Sequence, residues 1–159
     1  MKRIFLVSLF IIILINVFSV VAAEKVPPAP SAKAKCPVCG MFVAKYTEWI
    51  CYLSFKDGSM AYFDGPKDLF KFYLNPARYG SARKQADVAS IHVKDYYSLA
   101  SIDGREAYFV IGSDVFGPMG KELVPFAKKA DAEGFLNDHG GKRMVRFGEI
   151  TPTLMKSLE

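Results

Sequence analysis

The chain has 159 residues, of which 51% are hydrophobic, and a formal net charge of +5 at pH 7. This length suits a single domain. The basic residues are scattered, and the densest group is only the Arg-Lys-Gln stretch at 83–85, so the charge pattern argues against a nucleic-acid-binding protein.

The first 23 residues have the features of a secretory signal peptide. Two basic residues at positions 2 and 3 precede an apolar run from Ile4 to Val21, and small residues follow up to Ala23. Cleavage there would lower the net charge from +5 to +3. The alternative is an uncleaved anchor, because about 18 apolar residues can just span a bilayer. Both interpretations place the remaining chain outside the cytoplasm, and no cysteine at the end of the run offers a site for a lipid anchor.

The next segment predicts a linker and then a β-hairpin followed by a helix. Residues 24–35 are rich in Pro, Ala and Lys and predict a flexible linker, so we expect the domain to extend over 36–152 and a C-terminal tail over 153–159. Aromatic and β-branched residues predict strands at 46–55 and 59–63, joined by an Asp-Gly turn. Asp64 then suits the N-cap of a helix.

The second half of the chain predicts a related series of elements. They are strands at 90–98 and 106–113, a glycine-rich loop at 113–121, an extended segment at 122–126, a helix at 128–141, a strand at 142–150, and a tail or short helix. A weak internal repeat links the two halves, because the spacing of Phe63, Asp68 and Phe72 recurs in the second half. The recurring residues are Phe126, Asp131 and Phe135. We therefore expect an α+β fold of two related β-β-α units with mostly antiparallel strands.

The sequence KCPVCGMF at 35–42 contains a Cys-x-x-Cys motif that is compatible with several kinds of site. A four-ligand zinc site would need a second pair of ligands, and Cys51, His92 and His139 do not form one. A thioredoxin-like redox couple would begin a helix, whereas this motif runs into a non-helical segment. A structural disulfide remains open in an oxidising compartment, although so short a loop would remove little chain entropy.

Soft-metal binding is the further possibility, and three side chains outside the cysteine pair bear on it. Thiolate and thioether ligands suit Cu(I), which makes Met41 a candidate beside Cys36 and Cys39. Met119 lies in Gly-Pro-Met-Gly, either tucked into the core of a turn or presented as a second thioether. His139 either caps the end of a helix or acts as a ligand. Cys51, in an aromatic strand, is predicted to be a buried small hydrophobic residue.

The motifs taken together resemble the NosL family of nitrous oxide reductase accessory proteins. They are CPVCGM, YFDGPKDLFKFYLNP, YFVIGSDVFGPMGKELVPF, A-x-x-F-x-x-x-HGG and RFGEI, in this order. The resemblance implies a small α+β fold of two related β-β-α units. It also implies an exported, usually lipid-anchored protein that binds Cu(I) for delivery to nitrous oxide reductase. Cys39, Met41 and Met119 fall on the family's ligand positions, and Cys36 and His139 fall on motif positions too.

We therefore expect an exported, periplasmic Cu(I)-binding metallochaperone that is either soluble or held by its N-terminal segment. Its partner would be a copper-accepting apo-enzyme such as nitrous oxide reductase. The chain has no Gly-x-Ser-x-Gly, no phosphate loop and no carboxylate pair near a histidine, so an enzyme is not expected. Two alternatives remain open: a periplasmic thiol-disulfide oxidoreductase using Cys36 and Cys39, and a protein-interaction module with a structural cysteine pair.

Overall fold

A computed structural model describes residues 29–159, in which seven strands and three α-helices are found. The predicted signal peptide and residues 24–28 of the predicted linker lie outside the described residues. The strands are β1 (Cys51–Phe55), β2 (Met60–Phe63), β3 (Val88–Lys94), β4 (Ser101–Asp103), β5 (Tyr108–Gly117), β6 (Gly120–Phe126) and β7 (Arg143–Arg146). The helices are α1 (Pro66–Leu74), α2 (Lys129–Asp138) and α3 (Pro152–Lys156).

Two antiparallel sheets repeat one arrangement. The first sheet has the order β2-β1-β3-β4, and the second has the order β6-β5-β7. In each, a hairpin leads into a helix and the following strand pairs on the other side of the first strand. The internal repeat corresponds to this arrangement, because Phe63 ends β2 as Phe126 ends β6, and each helix begins three residues later. The predicted α+β fold of two related antiparallel units is confirmed.

Helix α1 lies at the centre of the main core and contacts both sheets. Leu69 and Phe70 are fully buried. The Phe70 ring meets Phe109 of β5 edge-on at 5.3 Å, and Phe72 lies 5.4 Å from Phe63 of β2. This placement fixes the start of α1 between the two sheets, where side chains from both halves of the chain converge.

The second sheet is covered on both faces. Phe109 and Leu123 point into the main core, whereas Val110 and Val124 pack with Phe135 against α2 in a separate apolar cluster. Burial on both faces explains the continuous apolar runs at 108–111 in β5 and 123–126 in β6, since successive residues in these runs face one core or the other. The C-terminal segment also packs, because Leu154, Met155 and Leu158 are buried.

Two of the differences from the sequence-based expectations concern the segments around α1. The N-cap of α1 is Gly65 and not Asp64, and no side chain of the cap position accepts a hydrogen bond. Residues 113–121 are not a loop, since β5 continues to Gly117 and a two-residue turn, Pro118-Met119, leads directly into β6. An irregularity in the pairing between Ile111 and Phe116 interrupts the strand pattern there, which is why the alternation of side chains did not indicate a strand.

None of the helices between residues 29 and 159 combines the length and the apolar composition that crossing a bilayer requires.

Candidate metal centre

The Cys-x-x-Cys motif forms a tight loop that is bonded to itself through the backbone. The Gly40 amide donates to the Cys36 carbonyl over 2.9 Å, and the Cys36 amide donates to the Met41 carbonyl over 2.8 Å. Gly40 has a φ of 77°, which only glycine adopts without strain, so it lets the chain reverse between Cys39 and Met41. The loop therefore presents Cys36, which is buried, and Cys39, which is half-buried, to the same side.

Two carboxylates at the start of α1 face these thiols. The Cys36 thiol donates to Asp68 Oδ2 over 3.4 Å, and the Cys39 thiol donates to Asp64 Oδ2 over 3.3 Å. The four ligand atoms, one from each side chain, all lie within 4.8 Å of one another. Asp64 and Asp68 are almost completely buried, and Asp64 Oδ1 has no hydrogen-bond partner among the described residues. We call these four residues the Cys-Asp cluster.

Burial keeps the thiols of the Cys-Asp cluster in their protonated form. It raises the pKa of Cys39 to about 12 and the pKa of Cys36 well above the ordinary value, with the neighbouring carboxylates adding to the effect. Burial also raises the pKa of Asp68. Since a redox-active cysteine needs a lowered pKa, this environment disfavours disulfide exchange. All three cysteines are free thiols, so no disulfide joins Cys36 to Cys39.

The two candidate methionines lie on different loops, of which the first is the cysteine loop and the second contacts the start of α1. Met41 is half-buried and belongs to the cysteine loop itself. Met119 occupies the tip of the β5–β6 hairpin and is 43% exposed. That tip contacts the start of α1, because the Met119 carbonyl accepts a hydrogen bond from Lys67 Nζ. Met119 is therefore not tucked into the core.

His139 lies in the second unit, outside the Cys-Asp cluster. It is the C-cap residue of α2, as its position in the sequence predicted. Its ring stacks on Phe135 at 4.2 Å, and its Nδ1 lies 2.9 Å from Asp114 Oδ1. Cys51 is completely buried, and its prediction as a small core residue is confirmed.

Reasoning from the sequence missed Asp64 and Asp68 as members of the site. Asp64 was assigned to a helix cap, and Asp68 was only a member of the repeat. A signal was present, since the two aspartates are four residues apart around a helix start and so fall on one face. Nothing local connects them to cysteines 25 and 32 residues earlier in the chain.

Comparisons with known proteins agree on one family. A model of the NosL family matches residues 27–155. The copper-binding lipoprotein NosL of Stutzerimonas stutzeri is 42% identical over 55 residues, which make up 35% of this chain and 28% of that protein. The match thus spans well under half the length of that lipoprotein.

A solved structure agrees over most of the chain. The crystal structure of the copper chaperone NosL from Shewanella denitrificans superposes with a TM-score of 0.67 at 32% identity, covering 82% of this chain and 98% of that chain. The family model covers most of the residues and the fold matches at appreciable identity, so the chain belongs to the NosL family.

Proposed function

We propose that this protein binds one Cu(I) ion beside the start of α1 and transfers it to a copper enzyme outside the cytoplasm. The observation that carries the proposal is that one buried and one half-buried thiol face the start of α1, where the turn that carries Met119 also makes contact. Thiolate and thioether sulfur atoms are the ligands that Cu(I) prefers. Relatives that are named as copper-binding and as a copper chaperone support the same metal.

Each member of the site has a distinct role in this proposal. Cys39 supplies a thiolate from the more accessible side, because metal binding displaces the proton of its thiol, and Cys36 lies deeper as a second thiol. Met41 and Met119 supply thioethers from the two flanking loops. His139 pairs with Asp114 in the second unit, so we leave it out of the ligand set.

The two carboxylates orient the thiols. Asp64 and Asp68 accept the hydrogen bonds of the thiols and are hard ligands that suit Cu(I) less well than sulfur does. Their negative charge and the unpartnered Asp64 Oδ1 make the site attractive to a cation. Partners of this kind hold metal ligands in place and contribute to affinity.

A half-exposed site with few ligands suits transfer rather than permanent storage. A client protein can approach Cys39 and Met119 from solvent and exchange ligands one at a time. The raised thiol pKa values give no support to the alternative of a thiol-disulfide oxidoreductase. We infer that the protein is exported by its N-terminal segment and that its client is an apo-enzyme such as nitrous oxide reductase.

The test is an anaerobic Cu(I) titration of the reduced protein against a competing chelator, followed by transfer to apo nitrous oxide reductase. We expect one tightly bound ion per chain and copper-dependent activation of the enzyme. A protein that does not compete with the chelator for Cu(I) would rule out the copper assignment. Tight binding without transfer would rule out this client alone.

A further inference from the structure

Glu122 of β6 is a buried carboxylate that caps a helix of the other unit. It is 3% exposed, and its Oε1 accepts hydrogen bonds from the amides of Lys67 over 2.5 Å and Leu123 over 2.9 Å. The Lys67 amide is one of the first amides of α1, which have no partner within the helix. Because Gly65 provides no side-chain cap, Glu122 takes that role from across the interface, and Asp64 is left to face Cys39.

The Lys67 side chain makes a second contact between α1 and the β5–β6 hairpin. Its side chain is 4% exposed, and its Nζ donates to the carbonyl of Met119. A buried ammonium that donates to a backbone carbonyl fixes that carbonyl and therefore the direction of the turn that carries it. One residue thus contacts β6 through its amide and the hairpin tip through its side chain.

The contact between Glu122 and the start of α1 leaves no space for a side chain larger than glycine at positions 65 and 117. A Cβ atom on Gly65 would lie 2.6 Å from Glu122 Oε2, and one on Gly117 would lie 2.9 Å from the same atom. A Cβ on Gly65 would also lie 3.6 Å from Pro118, so the turn rests directly against the start of α1. These close contacts hold the hairpin tip in one position against the start of α1.

We propose that Lys67 and Glu122 are positioning residues that hold the Met119 thioether beside the Cys-Asp cluster. We call the pair the Lys-Glu clasp. The inference rests on the proposed function, because it gives the clasp a role in copper binding through Met119. The corresponding position in the second unit is Ala130, three residues after the start of the strand-to-helix connection, and it cannot make such a contact.

The test is a double-mutant cycle read by Cu(I) affinity. Lys67→Leu keeps an apolar side chain, removes the donor and brings no sulfur, and Met119→Leu removes the thioether. We expect each variant to bind Cu(I) about tenfold more weakly, as suits loss of one charge-assisted hydrogen bond or one weak ligand. The double variant should bind like either single variant, since residues that act as one unit are not additive.

Three controls separate positioning from folding. Lys67→Arg keeps a donor and should retain affinity near that of the wild type. Lys71→Leu removes the same charge one turn along α1, where Lys71 forms an ion pair with exposed Glu159, and should also retain it. X-ray absorption of the copper-loaded protein should show one sulfur neighbour fewer in Lys67→Leu, as in Met119→Leu.

The outcomes distinguish the two proposals. Wild-type affinity in Lys67→Leu alongside weak binding in Met119→Leu would overturn the clasp, as would additive losses in the double variant. Wild-type affinity in Met119→Leu, with weak binding in Cys39→Ser, would overturn the clasp while the thiol-based copper site stands. Wild-type affinity in Cys39→Ser would overturn the copper site itself.

Discussion

The two units share one backbone arrangement, and only the first carries the Cys-Asp cluster. Asp68 and Asp131 occupy the same third position of their helices, α1 and α2. Asp68 is buried against a thiol, whereas Asp131 is half-exposed at the start of a helix whose preceding residues face solvent. The difference is that the cysteine loop and the tip of the β5–β6 hairpin pack against the start of α1. The fold supplies a helix start in both units, and the added loops make one of them the candidate metal site.

The second unit has aromatic packing in the corresponding region. Phe126 and Phe135 lie 5.0 Å apart and meet the rings of Tyr96 and Tyr97. These ring contacts stabilise α2 against the sheet. The comparison assigns the aromatic packing to the second unit and the proposed metal site to the first.

The largest expected effect separates these roles by damaging the second unit. Phe135→Ala removes a completely buried ring, so we expect the free energy of unfolding to fall by about 3–5 kcal/mol. Urea denaturation of the apo protein measures this change. Cu(I) affinity at a temperature where the variant is folded should stay near that of the wild type, and a large loss of affinity would contradict the division of roles.

The matching change in the first unit is Cys39→Ser, which replaces the accessible thiol by a hard hydroxyl. We expect Cu(I) affinity to fall by more than about 100-fold, beyond the range typical of residues that only contact a ligand. Chelator competition under anaerobic conditions measures it. Cys51→Ala is the control, since Cys51 is buried outside the Cys-Asp cluster and its thiol contacts the Phe63 carbonyl. This substitution should change the free energy of unfolding and leave the Cu(I) affinity intact.

Replacing the two equivalent aspartates gives the most direct comparison of the units. Asp68→Asn leaves an amide where a carboxylate accepted the Cys36 thiol, so we expect Cu(I) affinity to fall by about 10- to 100-fold. Asp131→Asn changes the same helix position away from the Cys-Asp cluster and should leave the affinity unchanged. Equal effects of the two substitutions would show that net charge, and not the local contact, governs binding.

The smallest expected effect is a pH dependence of stability that comes from Glu122. Burial raises its pKa to about 8, opposed by Lys67 and increased by Asp68. Because the pKa of Glu122 is higher in the folded than in the unfolded protein, its contribution to stability is complete at a pH below the ordinary pKa of a glutamate. This contribution is lost as the pH rises through about 8. We therefore expect the free energy of unfolding to fall by about 1 kcal/mol per unit between pH 5 and pH 7.

Glu122→Gln keeps a neutral acceptor and isolates this contribution. The variant should lose most of the slope and become more stable than the wild type as the pH approaches 8. Denaturation of the apo proteins at several pH values measures both curves. Parallel curves for the two proteins would show that Glu122 does not titrate in this range.

Much of the fold could be predicted from local patterns. The periodic spacing of apolar residues predicts the two main helices and the repeat, and the turn at Asp57-Gly58 predicts the first hairpin. Both signals depend on residues that are close together in the chain. The end of β5 was missed because the irregular pairing after Ile111 breaks that alternation. Asp64 was misassigned because a residue of β6, Glu122, caps the helix instead.

The sequence by itself determined the soft-ligand motif at 36–41, the paired units and the family. Short-range patterns and motif order carry that information, since cysteine spacing and apolar periodicity are properties of neighbouring residues. The tertiary structure decided that Asp64 and Asp68 meet the thiols, that Met119 lies at a turn against α1, and that Lys67 and Glu122 join the two units. Such contacts join residues far apart in the chain, and only the packing of the two sheets around α1 brings them together.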